Sequence, residues 1–173
     1  ASRRFRTIKS ELHDRSSFYT SSLISTILSS FASFFFMSKI FISHRYTGED
    51  ITSLTIALRA ITDTLESLGH TVFCSLWLIP YFEEHHMTAD DNYAYCLDAM
   101  QWSDYMLAYI QSESESKGMI LELERAIEMR IPIILVIKRW LGHERFRSIA
   151  REVVEFERVE EIGERLREIV WQK

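Results

Sequence analysis

From Lys39 onward, short apolar runs alternate with longer stretches whose apolar residues recur every three or four positions. Lys39–Ser43 is a run of the first kind and predicts a buried strand, broken by Gly48-Glu49-Asp50, which offers a helix cap. Ile51, Leu54, Leu58, Ile61, Leu65 and Leu68 then recur at 3-4-3-4-3 spacing, the stripe of an amphipathic helix that Gly69 stops. Thr71–Cys74 predicts a second strand. Ser75–Asp90 is aromatic and acidic and predicts an irregular connection, after which Asp90 or Asp91 caps a helix striped by Tyr93, Leu97 and Met100. Tyr105–Ile110 predicts a third strand, and residues 118–130 a helix whose main stripe is Ile120, Leu123 and Ile127. Pro132–Ile137 is the most strand-like run, and its unbroken hydrophobicity predicts burial on both faces. A short helix near Arg147–Arg151, a fifth strand at Val153–Phe156 and a closing helix striped by Val159, Ile162, Leu166 and Ile169 complete the pattern.

Strands that alternate with helices imply right-handed crossovers and a parallel sheet. The expected fold is therefore α/β, a flavodoxin/Rossmann-like three-layer arrangement with about five parallel strands and helices on both faces. It spans residues 37–173. Residues 1–36 differ: Ala1–Arg15 is basic and polar, and Ser16–Phe36 mixes Ser and Thr with Leu, Ile and Phe. The segment reads as a non-core N-terminal extension, either upstream sequence before an initiating Met37 or a targeting or membrane segment.

The chain has 173 residues and a formal net charge of −5. That length suits one domain with a full core. The charge argues against nucleic acid or an anionic membrane as the partner of the core domain, because both need clustered Lys and Arg. A small anion needs only one or two local cations and a helix N-terminus. Cys74 and Cys96 each lie in an apolar run without metal-ligand spacing, so both read as reduced core residues of a cytoplasmic protein, and no metal or cofactor is expected. His85 and His86 are adjacent, a spacing that suits surface histidines better than a metal pair.

In a parallel sheet ligands bind beyond the carboxyl ends of the strands, which directs attention to the loops after the first and third strands. The first reads Ser43-His44-Arg45-Tyr46-Thr47-Gly48-Glu49-Asp50: a hydroxyl, a guanidinium and a glycine where a helix begins. Those are the parts of a phosphate cradle, and equally of a strand-to-helix turn with a capping Asp50 and a surface arginine. The second reads Ser112 to Gly118 and leads into Met119-Ile120-Leu121-Glu122, with Ser116 placed to cap the helix. Met119, Glu122, Ala126 and Met129 share one flank of that helix at 3-4-3 spacing. A carboxylate there, part-buried near a helix N-terminus, is a candidate nucleophile or electrostatic stabiliser, or else the partner of Arg125 in an i, i+3 pair.

These residues resemble the nucleoside 2-deoxyribosyltransferase superfamily. The similarity runs over roughly Lys39–Lys138 and includes Lys39-Ile40-Phe41-Ile42, Gly69-His70-Thr71-Val72-Phe73, Ser103-Asp104 and Gly118-Met119-Ile120-Leu121-Glu122. One branch, the 2'-deoxynucleoside 5'-phosphate N-hydrolases, is similar in more detail: Ser43, Arg45, Glu49 and Asp50 stand as in its first loop, and Ser116, Gly118 and Glu122 as in its catalytic loop. The resemblance implies an enzyme that cleaves or transfers at an N-glycosidic bond, with Glu122 as nucleophile and Asp104 as a further catalytic residue. It implies substrate contacts, chiefly to a 5'-phosphate, from Ser43, Arg45, Gly48, Ser116 and Gly118. The implied partner is a small-molecule nucleotide or nucleoside, and the implied assembly a homo-oligomer. Glu124 stands where transferase relatives often have glycine, and Cys96 falls where they place an aspartate, with Asp98 out of register. The opening strand Phe41-Ile42-Ser43-His44-Arg45 also resembles Toll/interleukin-1 receptor-like domains, whose enzymatic members cleave NAD. A non-catalytic nucleotide sensor or interaction module is the third alternative, since fold alone does not establish function.

Overall fold

The computed structural model describes residues 37–171. The expectations for residues 1–36 lie outside the described residues. Five strands form one sheet: β1 (Lys39–His44), β2 (Thr71–Cys74), β3 (Tyr105–Ile110), β4 (Ile133–Lys138) and β5 (Glu152–Phe156). All neighbours are parallel and the order is β2-β1-β3-β4-β5. The helices are α1 (Ile51–Ser67), α2 (Ile79–Glu84), α3 (Ala89–Gln101), α4 (Lys117–Glu128), α5 (Glu144–Ile149) and α6 (Glu160–Glu168). The expected three-layer α/β fold is the one observed.

The two-residue period of the strands divides the core into two halves. Ile40, Ile42, Tyr105, Leu107, Tyr109, Ile134 and Val136 face α1 and α6, contributing with Leu58, Ile61, Leu65, Ile162 and Leu166 to one cluster. Phe41, Met106, Ala108, Ile110, Ile133, Leu135 and Ile137 face the other way, onto Cys96 and Met100 of α3 and Met119, Leu123 and Ala126 of α4. Burial on both faces explains the continuous apolar runs of β3 and β4.

Two expectations are corrected. The stretch after β2 is ordered rather than irregular: Ser75–Leu78 forms a 3-10 turn, and α2 follows with Pro80 in its first turn, where a missing N–H costs nothing. The cap of α3 lies two residues before the earlier of the two expected positions. Thr88 caps it, and Asp91 answers from the third position in a reciprocal capping box.

Candidate active site

The chain runs outward from β1 to β2 and then crosses back to β3, so the sheet reverses direction between β1 and β3. The loops leaving those two strands meet at that switch point. Ser43 lies two residues beyond Phe41 and shares its face, which turns its hydroxyl toward α4. Ser116 caps α4 through its Oγ, which accepts from Met119 N–H at 3.4 Å. Starting the helix there puts Glu122 on the sheet-facing side, and Ser43 Oγ donates to Glu122 Oε2 at 2.5 Å.

Burial pushes the Glu122 carboxyl from its ordinary 4.5 up to about 7, with the Ser43 hydroxyl pulling in the opposite direction. Loss of hydration thus outweighs the hydroxyl, and the group sits near half-ionisation at neutral pH. Beside it opens a cleft of about 400 Å³ between the end of β1 and helices α2 and α3. Such a volume takes a small organic ligand. The Tyr93 hydroxyl and Cys96 thiol line this cleft, and both are raised, first by burial and then by the negative charge of Glu122. His44 also lines it, with its pKa lowered to about 4 by burial, so its ring is neutral near pH 7. The His44 Nδ1 faces the Arg45 carbonyl at 3.4 Å and Nε2 faces Ser75 Oγ at 3.4 Å. A carbonyl only accepts, so Nδ1 carries the proton and Nε2 accepts from the serine. Asn92 Oδ1, on the same wall, is buried with no hydrogen-bond partner among the described residues.

The remaining expected site residues divide between the two ends of the sheet. Arg45, Gly48, Ser116 and Gly118 come to the carboxyl end with Ser43 and Glu122. The Arg45 Nε donates to Thr47 O at 2.7 Å, and its guanidinium lies over Gly48, where a Cβ would stand 2.9 Å from Nη2. Gly48 has φ +80°, a conformation that disfavours any side chain, whereas the Arg45 tip could shift aside. Gly118 opens α4 beside Ser116 Oγ. Asp104 does not join them. It precedes β3 and closes the amino end of the sheet, its Oδ2 accepting from Lys39 N–H at 2.8 Å while its own N–H donates to Lys39 O at 2.7 Å. Ser43 is four residues along β1, roughly 13 Å away at strand rise. The structure therefore does not bring Asp104 together with Glu122: Asp104 joins β3 to β1.

His44, Ser75, Asn92, Tyr93 and Cys96 line the cleft without having been read as site residues. His44 sits in the loop that drew attention, between Ser43 and Arg45. The others come from the stretch taken as irregular and from a helix face read as core, where nothing in the spacing separates a cleft wall from a packed interior. Among the described residues no group of three or more His, Cys, Asp or Glu side chains could hold a metal ion, and no helix is long and apolar enough to cross a membrane. Cys74 and Cys96 are both buried and unbridged.

No protein-family model and no curated protein sequence matches the chain. Solved structures do. A CMP N-glycosidase from Clostridium botulinum superposes with a TM-score of 0.58 at 15% identity, over 76% of this chain and 99% of that one. A 2-deoxyribosyltransferase from Bacillus psychrosaccharolyticus gives 0.56 at 19% identity, over 73% and 90%. The fold is that of the 2-deoxyribosyltransferases. A conserved protein from Enterococcus faecalis V583 shares it at a TM-score of 0.52 and 11% identity, over 76% of this chain and 98% of that one.

Proposed function

We propose that the chain cleaves the N-glycosidic bond of a nucleoside or nucleotide, with Glu122 as the attacking carboxylate. The observation that carries this reading is the position of Glu122: a desolvated carboxyl, oriented by Ser43 at 2.5 Å, beside a 400 Å³ cleft at the switch point of the sheet. A carboxylate stripped of water is a stronger nucleophile than one in solution, and a single fixed hydroxyl leaves its second oxygen available for attack. In the first step Glu122 forms an ester to the anomeric carbon while the C–N bond breaks, and the base departs with the electron pair and takes a proton from water. Hydrolysis of the ester, or attack on it by a second base, restores the carboxylate. The fold shared with an N-glycosidase and a deoxyribosyltransferase supports both outcomes equally. The unpaired Asn92 Oδ1 supports a ligand with an N–H edge in the cleft, because a buried acceptor gains by finding a donor.

The test is a chromatographic screen for free base after incubation with nucleosides, nucleoside 5'-monophosphates and NAD. Release of a nucleobase that falls by at least a thousandfold in Glu122→Gln supports the reading, since the amide cannot form the glycosyl ester. Near-normal turnover by that variant overturns it. Nicotinamide release from NAD alone would instead favour the NAD-cleaving reading.

A further inference from the structure

Two histidines line the cleft, and they are held in opposite ways. His44 has both ring nitrogens against polar partners, Nδ1 facing the Arg45 carbonyl and Nε2 facing Ser75 Oγ. Burial lowers its pKa to about 4, so at neutral pH it is not an imidazolium with a proton to give. His86 is exposed, and its ring makes no hydrogen bond to another described residue. Its neighbour His85 has other surroundings. The His85 Nδ1 lies 2.8 Å from the Tyr81 carbonyl, its ring packs on Tyr81 at 4.1 Å, and it is not part of the cleft lining.

The backbone explains how two adjacent histidines come to differ. Helix α2 ends in a stop in which His86 N–H donates to Glu83 O at 3.1 Å and Met87 N–H donates to Phe82 O at 3.0 Å. The residue between them, His86, has φ +50°. Such a position ordinarily takes glycine, because left-handed backbone is costly for a residue with a Cβ. Here a histidine takes it, and the reversal of the chain brings its ring to the cleft wall.

Breaking an N-glycosidic bond leaves an electron pair on a nitrogen of the base, and a proton delivered as that pair develops lowers the barrier. The cleft is short of sources. Tyr93 and Cys96 hold their protons tightly, raised by burial and then by the charge of Glu122. The Ser75 hydroxyl and the Asn92 amide are donors but not acids near neutrality. Tyr46 and Glu83 complete the titratable lining. Imidazole is the side chain that gains and loses a proton most readily near neutral pH.

We propose that His86 is the general acid of the cleavage, donating a ring proton to the departing base. The assignment rests on the glycosidase reading above, in which the base otherwise draws that proton from water. As Glu122 bonds to the anomeric carbon, the C–N electron pair passes to the base. The base takes a proton from the His86 imidazolium and leaves neutral. The imidazole then accepts a proton from the water that attacks the ester. The hydroxyl goes to the anomeric carbon, and the Glu122 carboxylate and the His86 imidazolium are both restored.

His86→Gly and His86→Asn test the assignment, since both residues accept left-handed backbone and neither can supply the proton. The substrate is whichever common nucleoside or nucleoside 5'-monophosphate the base-release screen shows to be turned over. The wild type should give a bell-shaped kcat/KM profile, with its acid limb from Glu122 and its alkaline limb from His86. Both variants should lose the alkaline limb and fall in kcat by at least about a hundredfold, with KM held within about threefold and the melting temperature not lowered. Added imidazole should raise kcat of His86→Gly by at least about tenfold, and His85→Asn should behave as the wild type. A wild type without an alkaline limb overturns the assignment, as do His86 variants that keep one. A rise in KM at constant kcat, or loss of the limb in Glu83→Gln instead, overturns it too. All of these outcomes leave the glycosidase reading standing. If the wild type releases no base from any substrate, that reading fails, and the assignment fails with it.

Discussion

At the scale of single residues, the chemistry turns on how the protein treats two carboxylates a few ångströms from the same loops. Glu49 receives a hydroxyl, an amide and a guanidinium. Glu122 receives one hydroxyl and is otherwise desolvated. Because its pKa stands at about 7 and attack requires the ionised form, kcat/KM should fall about tenfold per pH unit well below pH 7. A flat profile down to pH 5 would remove Glu122 from the nucleophile's role. The same shift carries a stability cost. Between about pH 4.5 and 7 the folded chain keeps a proton on Glu122 that the unfolded chain has released, so this group favours unfolding increasingly as pH rises through that window. Glu122→Gln should therefore be more stable than the wild type above pH 7, by on the order of 1–3 kcal/mol, with the gap closing toward pH 4.5. Urea denaturation at several pH values measures it.

At the scale of elements, the strands were the most legible, because apolar runs bounded by polar residues leave little choice. The Thr71–Cys74 and Tyr105–Ile110 strands agree with the sequence reading residue for residue. Helix orientation was less legible. In α4 the branched aliphatics suggested Ile120, Leu123 and Ile127 as the packing stripe, yet Ile127 is 49% exposed, and Met119, Leu123 and Ala126 are buried. Small Ala126 lets the helix approach the sheet, and thin, flexible Met119 fills the gap, so volume and shape overrode hydrophobicity. That rotation by one stripe is what carries Glu122 inward. The contact between α1 and α6 depends on size in a similar way. A Cβ on Gly163 would stand 2.9 Å from Thr64 Oγ1, which is bonded to the Ala60 carbonyl at 2.8 Å. Gly163→Leu should cost about 1–3 kcal/mol in urea unfolding despite the gain in helix propensity, since the helices must separate.

At the scale of the whole molecule, the fold divides its tasks between the two ends of the sheet. The amino end is closed by Asp104 on Lys39 and by the buried His70, whose Nδ1 accepts from Ser38 N–H at 3.2 Å. The carboxyl end holds every group assigned to chemistry. The topology was readable because alternation of strand and helix fixes where a switch point can lie. That Asp104 lies apart from Glu122 was not legible, because a carboxylate beside a strand looks the same in sequence at either end. Residues 37–173 form a unit by themselves, so a chain beginning at Met37 should melt with the same midpoint as the full chain. A lowered midpoint would refute that boundary. Tryptophan emission is suited to the measurement, because all four tryptophans lie beyond residue 36. Trp171 is 7% exposed, set edge-on to Tyr105 at 5.2 Å and 4.9 Å from the His70 ring, whereas Trp102 and Trp140 are 69% and 63% exposed. Iodide will quench the two exposed indoles in the native state, and the red shift that remains to be seen on heating will come from Trp171 and the half-buried Trp77, of which Trp171 reports on the amino end. The last ordered tryptophan of the chain is thus a built-in optical gauge of whether the amino end of the sheet is still shut.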